Sequence, residues 1–206
     1  MSHYCIVVDV DHCTGCKGCE IACKNENNIP LGERWNRLLL CGPYGTYPNL
    51  SQYYLPVQCQ QCENAPCVNV CPTGASHRDP ETNIVQIDKE KCIGCKYCMM
   101  ACPYSVRSFN EAERVVEKCT LCPQLTSQGK PPKCVRNCSV RCRYYGDLDD
   151  PESEVSKLLA SRAEDVHHLK DFGNKPSSFY ILQKKYCDWQ EEPDWHDIRS
   201  REEGIM

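Results

Sequence analysis

Phenylalanine is scarce in this chain, 3 of 206 residues, and Leu, Ile and Val are too few to fill an ordinary core of this size. The expected scaffold is therefore disulfide or metal. No stretch approaches the roughly 18 consecutive apolar residues of a membrane span. The opening run Met1 to Asp9 lacks a basic segment followed by an apolar one, so it reads as having no secretory signal. A basic stripe is missing too, and the formal net charge is −4, which argues against a nucleic-acid partner. What the chain has instead is cysteine, 20 residues of it. So many thiols in a reducing compartment point to bound metal rather than to disulfides.

Sixteen of the cysteines form four ordered groups. Cys13, Cys16, Cys19 and Cys23 are spaced C-x2-C-x2-C-x3-C. Cys59, Cys62, Cys67 and Cys71 follow as C-x2-C-x4-C-x3-C, ahead of Pro72. Cys92, Cys95, Cys98 and Cys102 repeat the first spacing and precede Pro103. Cys119, Cys122, Cys134 and Cys138 form C-x2-C-x11-C-x3-C. A triplet at two-residue intervals can wrap one face of an iron–sulfur cubane, with Thr14-Gly15 and Ile93-Gly94 supplying the tight turns. Loop amides can then point at sulfur. The fourth Cys of a group lies a helical turn on, and in two-cluster ferredoxins it ligates the other cluster.

Structural zinc, the main rival, takes two separated pairs and leaves the third Cys of a triplet without a use. A radical enzyme would need a further C-x3-C-x2-C triplet, and none is left over. Cys5, Cys41, Cys142 and Cys187 read as free thiols. Cys142 alone is ambiguous, because Cys138-x3-Cys142 repeats a ligand spacing; Cys138 keeps the C-x3-C relation to Cys134 and is the chosen ligand. Lys17, Lys24, Lys96 and Arg107 read as partial neutralisation and solubility. Each cluster with its thiolates adds about −2, so four take the chain to about −12.

Between the motifs, Ile6-Val7-Val8-Asp9, Ile84 to Asp88 and Val115-Val116 read as short strands leading into cysteines. Residues 24–58 form an insertion in which Arg34 to Leu40 and Tyr53 to Val57 pair as a hairpin, with Gly42 to Asn49 turning between them. The hairpin is expected to pack on the cluster domains. Asp150-Pro151 reads as the cap of a helix of about five turns, carrying Val155, Leu158, Leu159, Val166 and Leu169 on one stripe. Lys175 to Leu182 reads as a strand. The acidic tail from Asp188, with Trp189 and Trp195, is expected to lie across another subunit.

The four groups in this order resemble the iron–sulfur subunit of the dimethyl sulfoxide reductase family of molybdopterin oxidoreductases. The likeness runs from Tyr4 to Gly146, and the extension to about Lys184 is similar as well. It is carried also by Cys13-Thr14-Gly15-Cys16-Lys17, by Cys92 to Cys98 and by Gly129-Lys130-Pro131-Pro132. Ser139 stands where relatives carry Pro after the last ligand, and Cys95 stands where some relatives carry Trp and a [3Fe-4S] cluster.

The resemblance implies nested ligation of four [4Fe-4S] clusters. The first would use Cys13, Cys16, Cys19 and Cys138, and its neighbour Cys119, Cys122, Cys134 and Cys23. Of the others, one would use Cys59, Cys62, Cys67 and Cys102, and the last Cys92, Cys95, Cys98 and Cys71. The fold expected is α+β, two ferredoxin-like two-cluster domains with an inserted hairpin and a C-terminal helix/strand extension. Residues 1–58 with 104–146 form the first domain, 59–103 the second, and 147–206 the partner-contacting extension. The implied function is electron transfer, without a catalytic site in this chain. Electrons would pass between a molybdopterin-containing catalytic subunit and a quinone-reactive membrane anchor subunit or soluble donor. That places the chain peripherally at the cytoplasmic membrane through its partners. The alternative is a free-standing soluble polyferredoxin.

Overall fold

A computed structural model describes residues 2–193. Strand β1 (Tyr4–Asp9) is buried from Cys5 onward and leads through a 3-10 turn, Val10–His12, into the first cysteines. Helix α1 (Gly18–Asn27) carries the rest of that group. The inserted hairpin is β2 (Asn36–Thr46) and β3 (Asn49–Gln58), with Leu38 opposite Pro56, Leu39 opposite Leu55 and Leu40 opposite Tyr54. Its strands run beyond the expected limits. Gly42 to Asn49 is a bulge and a continued ladder rather than a long turn, and only Tyr47-Pro48 separates the strands. Leu39, Tyr53, Leu55 and Val57 sink into the main core, so the hairpin packs on the body of the molecule.

Next come α2 (Pro66–Asn69), β4 (Ser76–Arg78), β5 (Val85–Ile87) and α3 (Tyr97–Met100). They are followed by β6 (Arg107–Asn110) and β7 (Val115–Lys118). β4 pairs with β5 and β6 with β7, each an antiparallel ribbon. Phe109 and Val116 of the second ribbon pack with Ala65, Cys67, Val85 and Cys98. Two short helices, α4 (Pro123–Thr126) and α5 (Lys133–Arg136), frame the fourth group. β8 (Arg143–Asp147) then returns beside β1, antiparallel.

The extension departs from expectation. Helix α6 (Glu154–Ser161) has 8 residues and starts after Ser153, not at Asp150. It stops at Arg162 (φ −125°, ψ 27°), whose guanidinium is held by Asp11 at 2.8 Å and Asp165 at 3.0 Å. These ion pairs turn the chain through Ala163–Asp165 into β9 (Val166–His167). Val166 and Leu169 thus reach the core from a strand and a loop, not from the helix stripe. β10 (Phe179–Ile181) lies parallel to β1 and completes a four-stranded sheet in the order β8-β1-β10-β9. β1, central and buried on both faces, accordingly carries an unbroken apolar run from Cys5 to Val8.

Trp189 lies on this chain itself. Its ring stacks on His167 at 5.1 Å and Tyr53 at 5.9 Å, and its indole N–H donates to the His168 carbonyl at 2.9 Å. Trp195 is outside the described residues. Among the described residues no helix is long and apolar enough to cross a membrane.

Candidate cluster-binding sites

One backbone feature recurs in all four groups. The second residue between the first two cysteines is left-handed: Gly15 (φ 71°), Gln61 (φ 50°), Gly94 (φ 68°) and Leu121 (φ 60°). This kink folds each C-x2-C loop around its thiols. Glycine is required at the two positions where it occurs. A Cβ on Gly15 would meet the Tyr54 ring at 2.6 Å, and one on Gly94 the Arg114 carbonyl at 2.6 Å. Gln61 and Leu121 bear a cost of about 1–2 kcal/mol each, offset by their own contacts. The Gln61 amide accepts from the Val85 N–H at 2.9 Å and donates to the Cys119 carbonyl at 3.3 Å, while Leu121 is buried. Backbone amides face cysteine sulfur both in the kinked loops and after the last Cys of a group. Ser76 N–H donates to Cys71 Sγ and Cys142 N–H to Cys138 Sγ, both at 3.3 Å. The amides of Gly15, Gly18 and Leu121 face Cys13, Cys16 and Cys119.

Three thiols of one group are brought together with the last Cys of another. Cys59, Cys62, Cys67 and Cys102 line one cavity, and Cys71, Cys92, Cys95 and Cys98 line another. Helices α1 and α5 pack together, which sets Cys23 beside Cys122 and Cys134. Asn27 Nδ2 reaches both Cys23 Sγ at 3.7 Å and Cys122 Sγ at 3.8 Å, and Cys119 faces Cys23 and Cys134. Cys142 faces Cys13, and its Sγ lies 3.5 Å from Cys138 Sγ. Among the described residues no three His, Cys, Asp or Glu side chains converge to hold a single metal ion.

These sets fit a multi-iron group. Burial pushes the Cys23 and Cys62 thiols up to about 12 and Cys119 well above its usual range. Thiolates at such depth need cations beside them. Two buried arginines, of which the sequence reading named Arg107 alone, supply fixed charge there. Arg143 Nη2 donates to Cys134 Sγ at 3.7 Å, and Arg107 faces Cys98 and Cys67. Arg107 is 6 % exposed, so its expected role in solubility is corrected: it is an interior charge. Asn174 Nδ2 donates to Cys62 Sγ at 2.9 Å. A signal for the arginines was available, since each stands five residues after the last Cys of its motif, Cys102 and Cys138.

Of the leftover cysteines, Cys5 is buried in the sheet core, its thiol pushed up to about 12 chiefly by that burial. Cys41 and Cys187 face each other under the hairpin, where Ser51 Oγ donates to Cys187 Sγ at 3.4 Å. Of the four, only Cys142 lies beside a grouped thiol, Cys138.

Thiols of different groups also approach one another. Cys19 faces Cys134, Cys119 faces Cys59, and Cys98 faces Cys67. Cys16 and Cys95 are exposed, whereas Cys59, Cys119, Cys122 and Cys134 are buried. Cavities ringed by kinked C-x2-C loops, with inward amides and interior cations, define an iron–sulfur protein.

The comparisons agree. A family model described as a 4Fe-4S dicluster domain matches residues 50–148, and one described as a 4Fe-4S binding domain matches 10–26. A Halobacterium salinarum protein named as an iron–sulfur subunit of dimethyl sulfoxide reductase is 44% identical over 88% of this chain and 79% of its own length. A sulfite dehydrogenase subunit of Allochromatium vinosum is 36% identical, covering 90% of this chain and 85% of its own length. The arsenate respiratory reductase iron–sulfur subunit of Shewanella sp. strain ANA-3 is also 36% identical, covering 85% of this chain and 94% of its own length. The chain belongs to the iron–sulfur subunits of the dimethyl sulfoxide reductase family of molybdopterin oxidoreductases. It is an electron-transfer subunit, not the catalytic one.

Proposed function

We propose that this chain carries single electrons along four [4Fe-4S] clusters held by the sixteen grouped cysteines in the nested scheme. The observation that carries this reading is the pair of four-thiol cavities, each joining three Cys of one group to the last Cys of another. When bound, the clusters supply one-electron redox chemistry. The chain's own residues hold them at fixed spacing, exclude water from the buried thiols and direct amides and cations at the sulfurs. Two ferredoxin-like units follow from the pairing, the second extended from 59 to 118 because the β6–β7 ribbon packs on it.

The Cys16 end faces a molybdopterin catalytic subunit, and the Cys95 end a quinone-linked membrane subunit or a soluble donor. Ile93, Tyr97 and Met100, all more than half exposed around Cys95, give that end an apolar rim suited to a protein partner. The relatives' names span sulfoxide, sulfite and arsenate, so the substrate is set by the partner. The test is turnover of the reconstituted complex with a quinol donor and with a small dye donor. Removing this chain is expected to abolish quinol-driven turnover and leave dye-driven turnover. Undiminished quinol-driven turnover without it would overturn the proposal.

A further inference from the structure

Arg107, at the start of β6, is 6 % exposed, and Arg143, at the start of β8, is 3 % exposed. Among the described residues neither meets a carboxylate. Arg107 Nη2 donates to Ser76 Oγ at 2.9 Å, and Arg143 Nη2 to Gln58 Oε1 at 2.9 Å and Cys134 Sγ at 3.7 Å. Arg107 Nη1, with Arg143 Nε and Nη1, is buried and has no partner in the protein. Lys118, equally buried, differs, because its ammonium is held by the Val85 and Cys119 carbonyls. A guanidinium does not shed its proton in a protein, so each arginine is a permanent interior charge with spare N–H donors.

What surrounds them is thiol. Arg107 lines the cavity of Cys59, Cys62, Cys67 and Cys102 and also faces Cys98, which lines the neighbouring cavity. Arg143 hydrogen-bonds Cys134 and faces Cys19 and Cys13 of the adjoining set. Each therefore stands between the two members of one pair of sites. The matching offset from Cys102 and Cys138 makes this a repeated feature of the two units.

We propose that Arg107 and Arg143 are bridging counter-charges, each raising the reduction potentials of both clusters it lies between. This rests on the cluster reading above. Reduction adds negative charge to a cluster, and a fixed cation in a water-poor interior favours the reduced form. One charge shared between two clusters lifts both together, which keeps the electron step inside a pair from running steeply uphill.

The test is an anaerobic potentiometric titration of the full, cluster-loaded chain, followed by electron paramagnetic resonance. Arg107→Gln is expected to lower two of the four midpoints and Arg143→Gln the other two. Each fall should be at least tenfold in the reduced-to-oxidised ratio at fixed potential, or about 59 mV for a one-electron couple. Arg107→Lys and Arg143→Lys keep the charge and should stay within a few-fold of the native ratios. Unchanged midpoints in the Gln variants, or Lys variants that fall as far as Gln, overturn the proposal. Should a Gln variant shed iron, its Lys counterpart decides on the same criterion. Iron content keeps the two readings apart, since a native chain holding well below about 16 iron atoms contradicts the cluster reading and not the role of the arginines.

Discussion

Gly94 and Gly74 offer a matched pair of perturbations beside one cluster site. Their backbones are nearly identical, φ +68° and φ +67°, and both lie in loops that border the cavity of Cys71, Cys92, Cys95 and Cys98. Alanine at either position is left-handed, at a cost of about 1–2 kcal/mol. The surroundings differ. A Cβ at Gly74 meets nothing within 4 Å, whereas one at Gly94 meets the Arg114 carbonyl at 2.6 Å and the Phe109 ring at 3.3 Å. The first neighbour is backbone and cannot swing away, so overpacking adds about 1–3 kcal/mol at Gly94. That excess corresponds to opening of the loop about 5- to 150-fold more often, taking tenfold per 1.4 kcal/mol. The assay is the rate of iron release to an excess of chelator under anaerobic conditions. Gly94→Ala should release one cluster's iron faster than Gly74→Ala by a factor in that range. Equal rates in the two variants would refute the reasoning, because strain without the clash would then explain everything.

Other expectations follow from the same geometry. Cys23→Ser should empty the site of Cys119, Cys122 and Cys134 and leave that of Cys13, Cys16 and Cys19 loaded, as read by spectra and a drop to about 12 iron atoms; loss of the first-group cluster instead would break the nested scheme. Cys138→Ser should cost one cluster and Cys142→Ser none, with iron analysis deciding which thiol is the ligand. Trp189→Ala removes a ring packed on Tyr53, His167 and Tyr180, so it should lower stability by about 2–4 kcal/mol in denaturant melts without loss of iron.

The C-x2-C turns, the inserted hairpin, β1 and β10 were legible in the sequence because each is a local pattern: a spacing, an alternation, a β-branched run. Gly15 and Gly94 were legible for the same reason, since a tight turn between two ligands asks for glycine. What escaped depends on partners far along the chain. α6 ends early because Arg162 meets Asp11, and no helical periodicity carries that information. Trp189 has no neighbour in its own segment; the rings it needs are Tyr53 and His167. Arg107 and Arg143 resemble surface charges in a composition count, and only their burial shows otherwise. Cys142 remains where spacing left it, beside Cys13 and Cys138.

The most direct test of the four-cluster account is joint analysis of iron and acid-labile sulfide in anaerobically purified protein, with the electrons taken up on full reduction. Sixteen grouped cysteines predict about 16 iron atoms, about as much sulfide and about four electrons per chain. Near-stoichiometric zinc without sulfide, or iron for only two clusters in a chain with all its cysteines intact, would contradict it.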